Sequence, residues 1–346
     1  MTKSKISLYI WYTDFTMKDT EQQIILSRRI SDLPLKIEGT HFEELIDQLY
    51  LELEKAGISL KPGTYLSDGW GCPNLIPVIG IPFYLADQNL SNLRESLTGI
   101  EAEDDTEIMM ILRHEAGHAF NYAYRIYQEP ECQEVFGNFF LPYNEEYKVC
   151  PFSNRFVRHV AGWYVQKHPD DDFAETFAVW LTPGSNWKKV YAGSPAMAKL
   201  IYIEKIVGKF GNLPPMVTDG RLDIPLNEMT MTLESWFKEH KEGKGKSIIL
   251  HDIINEDLKR LFPVAEGRPA IDILRNNRRQ LIRDVHYWTG IDRDVLVALV
   301  DNILAHIQIL ELKIAPDTES AIVGSVSVFI TTLVMNYVYQ GRFIND

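Results

Sequence analysis

The chain has 346 residues, of which 45% are hydrophobic and 24% are charged. This balance is typical of a globular protein that buries one large core or two smaller ones. The formal net charge of −13 argues against an extended basic surface, so nucleic acid is not an expected partner. Residues 1–16 lack the features of a secretory signal, and the three cysteines (Cys72, Cys132, Cys150) make no even disulfide set. We therefore expect reduced thiols and a cytoplasmic protein.

The first part of the chain predicts one amphipathic helix after a strand. Residues 6–12 are aromatic and alternate enough to favour a strand. Thr40 to Ala56 has apolar residues at helical spacing. Thr40 with Glu43 predicts a capping box at its start, and Gly57 predicts its end.

A glycine-rich loop and a strand follow. Residues 67–73 contain two glycines and a tryptophan, which favours either a tight loop with a packed tryptophan or a loop beside a cleft. Residues 78–85 read as a strand that Pro82 would confine to an edge or a bulge. An exposed edge strand can bind an extended peptide by strand addition, so this stretch is a candidate substrate shelf.

The pattern His-Glu-x-x-His occupies residues 114–118, within a helix predicted over residues 106–127. His114 and His118 would lie one turn apart on the same side, where two imidazoles can bind one zinc ion. Glu115 is offset from them and can act as a general base on a water molecule at that zinc. The alternative is a surface helix with two solvated histidines.

Two further features of this helix carry structural expectations. Asp104 or Asp105 is placed to cap its first turn. Gly117 costs about 1 kcal/mol relative to alanine inside a helix, so we expect it to have a packing reason. With Ala116 it would let another backbone approach closely behind the metal.

Residues 129–151 predict a long irregular segment, because four breakers interrupt it: Pro130, Gly137, Pro142 and Pro151. A segment of this length in a compact domain is usually functional or a lid. Its many aromatic residues favour packing against the domain.

A second helix, predicted over residues 168–181, offers a third metal ligand. Pro169 suits its first turn, and the aspartates that follow suit its positive end. Glu175 has apolar neighbours, and a buried carboxylate is costly unless it is paired or bound to metal, so we predict that Glu175 is the third ligand. Asp171 or Asp172 would either accept the outer N–H of a ligand histidine or only supply charge at the helix end.

These two helices resemble the gluzincin class of zinc peptidases, and more narrowly a bacterial family of zinc-binding metallopeptidases. The resemblance is carried by the H-E-x-x-H motif and by Asp-Asp-Phe-Ala-Glu-Thr-Phe-Ala at residues 171–178, and it covers roughly residues 30–240. It implies a zincin-like catalytic domain in which His114, His118 and Glu175 bind zinc and Glu115 is the base.

The donor for a tetrahedral oxyanion is not evident from the sequence. The candidates are His159, His168, Tyr164, Tyr191 and Tyr202. Arg155 and Arg158 are candidates for binding a substrate carboxylate, although a solvated helix face explains them equally well.

The last hundred residues predict helices. The stretch 241–247 is rich in glycine and lysine and indicates a linker, so we divide the chain into residues 1–245 and residues 246–346. Helices are predicted at 270–289, 293–312 and 318–339, as an antiparallel unit. Four arginines give the first of these helices a basic face for solvent, carboxylate pairing or docking: Arg275, Arg278, Arg279 and Arg283.

Residues 320–341 carry no charge, and this length meets the criterion for a membrane span. Several serine and threonine residues in the stretch favour a buried core helix instead. We therefore expect no membrane association and keep a C-terminal anchor as the alternative.

Taken together, the sequence predicts an α+β protein. It would combine a zincin-like catalytic domain, with a small mixed sheet and the H-E-x-x-H helix, and an all-α C-terminal helical region. The predicted function is hydrolysis of peptide or protein substrates by a zinc metallopeptidase. The alternatives are a zinc-dependent hydrolase of non-peptide amides or esters and a non-catalytic binding protein on the same fold. The oligomeric state is left open.

Overall fold

A computed structural model describes five parts of the chain: residues 22–143, 149–242, 254–264, 266–315 and 318–344. The strand predicted at residues 6–12 and the domain boundary predicted after residue 245 lie outside these ranges. Helices predominate in the described residues and accompany two small sheets, which agrees with the α+β class.

The elements of the N-terminal two thirds position the candidate site. They are α1 (His41–Lys55), β1 (Gly63–Ser67), β2 (Val78–Pro82), α2 (Gln88–Thr98), α3 (Asp105–Ala123), α4 (Pro130–Phe136), α5 (Pro169–Leu181), α6 (Trp187–Val190), α7 (Ala196–Phe210) and α8 (Leu233–Glu242). Short 3-10 helices include Phe83–Ala86 and Ala161–Gln166.

The remaining elements form the C-terminal helical region. They are α9 (Ile254–Leu261), β3 (Arg268–Pro269), α10 (Ala270–Asn276), α11 (Arg278–Thr289), α12 (Arg293–Ile309), β4 (Lys313–Ile314) and α13 (Glu319–Gln340). One hydrophobic cluster spans residues 30–237, and a second contains Ile100 with residues 254–334.

The sheet near the candidate site consists of two parallel strands with one antiparallel bridge beside them. Strand β1 pairs with β2 over their full lengths, from Gly63 opposite Val78 to Ser67 opposite Pro82. On its other side β2 is bridged at Gly80 by Gly71 of the glycine-rich loop, whose carbonyl accepts from the Gly80 N–H at 2.8 Å. The strand is therefore paired on both sides at its centre and is not the open edge expected of a substrate shelf.

The helix caps agree with the sequence in one case and differ in another. Asp104 caps α3, which confirms one of the two predicted caps, and it also forms a full capping box with Glu107. Thr40 is the N-cap of α1, but its side chain caps no backbone N–H. The Glu43 carboxylate instead accepts from the Gly39 N–H at 2.7 Å, one residue before the predicted partner.

Helices α3 and α5 cross in close contact at Gly117. A Cβ added at Gly117 would lie 2.8 Å from Ala174 Cα, and the rings of Phe120 and Phe177 stack with centroids 5.3 Å apart. This confirms the expectation that Gly117 admits a second backbone. The crossing brings the motif on α3 to the acidic start of α5.

The segment 129–151 is less irregular than predicted, because Pro130 begins the helix α4 instead of breaking one. The rest of its described part packs on the domain through aromatic rings. Phe139 stacks on Tyr127 with centroids 4.8 Å apart, and Tyr143 stacks on His168 at 4.1 Å.

Helix α13 is buried along one face only, through Val326, Ile330 and Val334. Among the described residues it is the one helix long and apolar enough to cross a membrane, and 22% of its most apolar stretch is buried. Val328 on its outer face is 68% exposed. The prediction of a buried core helix is therefore correct for one face and wrong for the other.

Candidate metal centre

Two histidines of α3 and one aspartate of α5 meet at a buried point. His114 Nε2 and His118 Nε2 lie 3.1 Å apart. Asp171 Oδ1 lies 3.9 Å from the first and 3.7 Å from the second. Helical spacing puts the two imidazoles on one side of α3, and the close crossing of the helices places Asp171 opposite them. The group could hold a metal ion.

Two carboxylate oxygens of the motif and of Asp171 lack hydrogen-bond partners among the described residues. They are Glu115 Oε2 and Asp171 Oδ2, and both atoms are buried. A buried carboxylate without a partner is costly, and a cation removes that cost. Two imidazoles and a carboxylate are also a donor set that suits a divalent metal ion. The residues present therefore fit a metal ion.

Glu175, the predicted third ligand, does not reach the shared point. Its Oε1 atom lies 3.2 Å from His114 Nδ1, on the other nitrogen of the imidazole. Its Oε2 atom accepts from the N–H groups of His159 at 3.0 Å and Val160 at 3.1 Å. Glu175 thus holds the His114 ring, and Asp171 stands where Glu175 was expected. The two residues are one turn apart on α5, so sequence spacing alone does not distinguish them.

Asp170 lies behind the second histidine at ion-pair distance. Its Oδ1 atom lies 3.1 Å from His118 Nδ1 and accepts from the Asn121 amide at 3.3 Å. The hydroxyl groups of Tyr122 and Tyr143 both donate to its Oδ2 atom. The sequence predicts Asp171 or Asp172 for this role, whereas the structure places Asp170 there. The available signal was the run of three aspartates one turn before Glu175.

The pKa values show that the centre favours positive charge. Burial would lower the pKa of His118, but the surrounding carboxylates, chiefly that of Asp170, together outweigh it and raise that pKa to about 10. Burial raises the pKa of Asp171 to about 6. Burial also opposes ionisation of Glu175, yet its hydrogen bond with His114 lowers the pKa of that carboxyl. Four acidic side chains surround two imidazoles here, an arrangement that attracts a cation.

Several side chains flank the centre. The Cys72 thiol donates to the Glu115 carbonyl oxygen at 3.4 Å, which places the glycine-rich loop beside the motif. The ring of Tyr164 lies 5.9 Å from that of His114. The Lys167 ammonium lies 5.3 Å from the Tyr164 ring and 5.7 Å from the ring of Tyr143.

Of the five candidate oxyanion donors, Tyr164 is the one whose ring contacts a histidine of the motif. The side chains of the other four contact other residues. His159 Nε2 donates to the Met110 carbonyl, His168 Nε2 donates to the Leu141 carbonyl, the Tyr191 hydroxyl accepts from the Arg158 N–H, and Tyr202 packs on Phe136.

The two arginines considered for substrate binding also differ in position. The Arg158 guanidinium is occupied by the C-terminal region, where it donates to the Tyr287 carbonyl oxygen. The backbone N–H of Arg155 lies 3.4 Å from the Ser153 hydroxyl in an exposed loop. Neither contact directs an arginine side chain at the histidines.

Comparison with protein-family models, with curated proteins and with solved structures finds no match for this chain. The geometry of the centre is therefore the main indication of function. That geometry combines two imidazoles and one carboxylate, and the buried Glu115 carboxylate acts electrostatically on His118.

Proposed function

We propose that this protein is a zinc-dependent metallopeptidase whose ligands are His114, His118 and Asp171. Three protein ligands of the nitrogen and oxygen type, with one position left for water or substrate, are the usual set of a catalytic zinc. Asp171 replaces Glu175 in this assignment because its Oδ1 atom lies within 4 Å of both His Nε2 atoms. The orienting carboxylates, Glu175 and Asp170, complete the set.

Glu115 is the general base. It follows His114 directly, it is buried, and its Oε2 atom has no hydrogen-bond partner among the described residues. It would take a proton from the attacking water and pass that proton to the leaving amine. Zinc, when bound, supplies Lewis-acid polarisation of the water and of the substrate carbonyl.

Tyr164 is the best-placed donor for the oxyanion. Its ring contacts His114, and it belongs to the 3-10 helix Ala161–Gln166 that borders the centre. Tyr143 is also close, but its hydroxyl donates to Asp170, and burial raises its pKa far above the ordinary value. Tyr143 therefore acts as a fixed donor to Asp170, and Tyr164 is assigned to the substrate.

The observation that carries the proposal is the meeting of the His114 and His118 Nε2 atoms with the Asp171 carboxylate in a buried site. The test combines metal analysis of the purified protein with cleavage of a peptide library. We expect one zinc ion per chain and peptide cleavage that a chelator abolishes and added zinc restores.

Other outcomes would contradict the peptidase assignment. Zinc-loaded protein that cleaves model amides or esters but no peptide would indicate a hydrolase of non-peptide substrates. Zinc-loaded protein without any hydrolysis would indicate a binding protein. Absence of bound zinc after loading would overturn the metal centre itself.

A further inference from the structure

We propose that the C-terminal helices position His114 from outside the metal centre, through Arg158, so that metal affinity depends on helix α11. This inference rests on the proposed metal centre. It follows from three sets of contacts. The first fixes Arg158 against α11, the second links the two residues after Arg158 to His114, and the third joins the backbones of Gly162 and Gly290.

Arg158 is enclosed by aromatic rings, two of which belong to the C-terminal region. Its guanidinium carbon lies 4.2 Å from the ring centre of Tyr287 and 4.7 Å from that of Trp288, both on α11. Trp163 covers it at 4.5 Å from the N-terminal side. The guanidinium also donates to the Tyr287 carbonyl oxygen. Stacking and a charge-assisted hydrogen bond together fix this arginine against α11.

The two residues after Arg158 connect it to the metal centre. The N–H groups of His159 and Val160 donate to the Glu175 carboxylate at 3.0 Å and 3.1 Å. Glu175 in turn lies 3.2 Å from His114 Nδ1. Glu175 is 1% exposed, so water does not replace a lost N–H donor there. Any shift of the backbone at 159–160 is therefore passed to the carboxylate that orients His114.

A second contact holds the same segment. A Cβ added at Gly162 would lie 2.7 Å from Gly290 Cα, and one added at Gly290 would lie 2.4 Å from the Gly162 carbonyl oxygen. The backbone of residue 162 thus touches the residue that ends α11. Trp163 next to it has a φ of 62°, a conformation that persists when the surrounding structure holds it.

The C-terminal region has other attachments to the rest of the chain, so loss of Arg158 should not release it. Arg279 pairs with Glu101 at 2.9 Å, and Arg278 donates to the Gly99 carbonyl oxygen at 3.0 Å. These contacts lie on the segment before α3 and do not touch residues 158–160. Arg158 is therefore a positioning residue for the metal centre, separate from general docking of the helices.

The experiment measures zinc affinity of the metal-free full chain by competition with a chelator of known affinity. Arg158→Met and Trp288→Ala should each weaken zinc binding by about three- to tenfold, less than direct loss of an orienting ligand partner. Both substitutions remove the same contact between Arg158 and α11. The zinc affinity of the double variant should therefore be no lower than that of the single variant with the larger loss. Arg158→Lys, which keeps the charge over the rings, should recover part of the affinity.

Arg279→Met is the matched control, since Arg279 also joins α11 to the N-terminal part of the chain but does so at Glu101. It should bind zinc like the unmodified protein even if its thermal stability falls. Trp288 is 55% exposed, so its variant is expected to fold if Arg158→Met does not. Unchanged affinity in both Arg158→Met and Trp288→Ala, or an equal loss in Arg279→Met, would overturn the inference. Absence of zinc binding by the unmodified chain would instead overturn the metal centre on which it rests.

Discussion

Asp171 and Glu175 lie one turn apart on α5 and face opposite nitrogens of the same imidazole. Asp171 Oδ1 is 3.9 Å from His114 Nε2, whereas Glu175 Oε1 is 3.2 Å from His114 Nδ1. A hydrogen bond at Nδ1 fixes the tautomer that leaves Nε2 as a donor of electrons to a metal. The two carboxylates therefore have different roles, one at the metal and one behind the ring.

This division predicts unequal effects of two matched substitutions. Glu175→Gln should weaken zinc binding by roughly 10- to 100-fold, the usual effect of changing a partner behind a ligand histidine. Asp171→Asn should weaken it further, because it removes a charged ligand. Chelator competition measures both. If Glu175→Gln lost more affinity than Asp171→Asn, Glu175 would be the ligand after all.

If Glu115 is the general base and not a ligand, its substitution should affect hydrolysis and leave metal binding intact. Glu115→Gln should retain one zinc ion per chain and lose about 100- to 10,000-fold in the rate of peptide hydrolysis, because a general base contributes on that scale. Zinc content and cleavage rate are measured on the same preparation. Glu204→Gln, at an exposed residue of α7 paired with Lys188, is the control and should keep both. Full activity of Glu115→Gln would exclude Glu115 as the base.

Local patterns in the sequence were sufficient for much of the site. The cap at the start of α3, the face shared by His114 and His118, and the close approach at Gly117 all follow from helix geometry and residue size. The choice between Asp171 and Glu175 does not, because it depends on how α5 crosses α3. Crossing geometry is decided by side-chain packing between distant segments, which periodicity does not encode.

Contacts between the N-terminal two thirds of the chain and the C-terminal helical region could not be predicted from the sequence either. The basic face of α11 could have been solvated, but Arg279 pairs with Glu101, and Arg283 lies 3.8 Å from Asp104. The aromatic enclosure of Arg158 likewise joins residues more than 120 positions apart. Composition identifies such residues as charged or aromatic, and only the fold assigns their partners.

Breaking the buried ion pair between Arg113 of α3 and Glu52 of α1 should lower the stability of the protein strongly. Arg113, next to His114, donates to Glu52 of α1 through two hydrogen bonds of 2.7 Å and 2.8 Å. Glu52→Met would leave the arginine charge buried without its partner and should lower the free energy of unfolding by about 3–5 kcal/mol. Urea denaturation measures the change.

The double variant Glu52→Met/Arg113→Met is the informative comparison for that pair. It removes both charges and should recover much of the lost stability, since apolar pairs often replace buried ion pairs at little cost. Equal losses in the single and double variants would show that the pair is not coupled.

His286 predicts a dependence of stability on pH. Burial lowers its pKa below the ordinary value of 6.5, and its Nδ1 atom donates to the Ile291 carbonyl. Below pH 6.5 the unfolded chain binds a proton that the folded chain resists, so this residue destabilises the fold as pH falls. His286→Gln should therefore lose less stability than the unmodified chain between pH 7 and about pH 5, measured by urea denaturation.

The exposed His41 is a control, because its pKa shift has the opposite sign to that of His286. Hydrogen bonds with Asp105 and Glu44 raise the pKa of His41, so its contribution is present below pH 6.5 and is lost as pH rises through the raised value. His41→Gln should therefore lose slightly more stability on acidification than the unmodified chain. If His286→Gln and His41→Gln changed the pH dependence in the same direction, the assignment of either shift would fail.

The glycine at the crossing of α3 and α5 predicts a destabilising effect of added volume. In Gly117→Ala the new methyl group would lie 2.8 Å from Ala174 Cα and 2.9 Å from the Ala174 carbonyl oxygen. Overpacking costs about 1–3 kcal/mol, which should exceed the gain of about 1 kcal/mol from better helix propensity. The helices would also move apart, so zinc affinity should fall together with stability.

Gly208→Ala on α7 is the control, because no atom lies within 4 Å of its added Cβ and propensity alone should stabilise it. A Gly117→Ala variant as stable as Gly208→Ala, with unchanged zinc affinity, would show that the close contact is not what holds the metal ligands together.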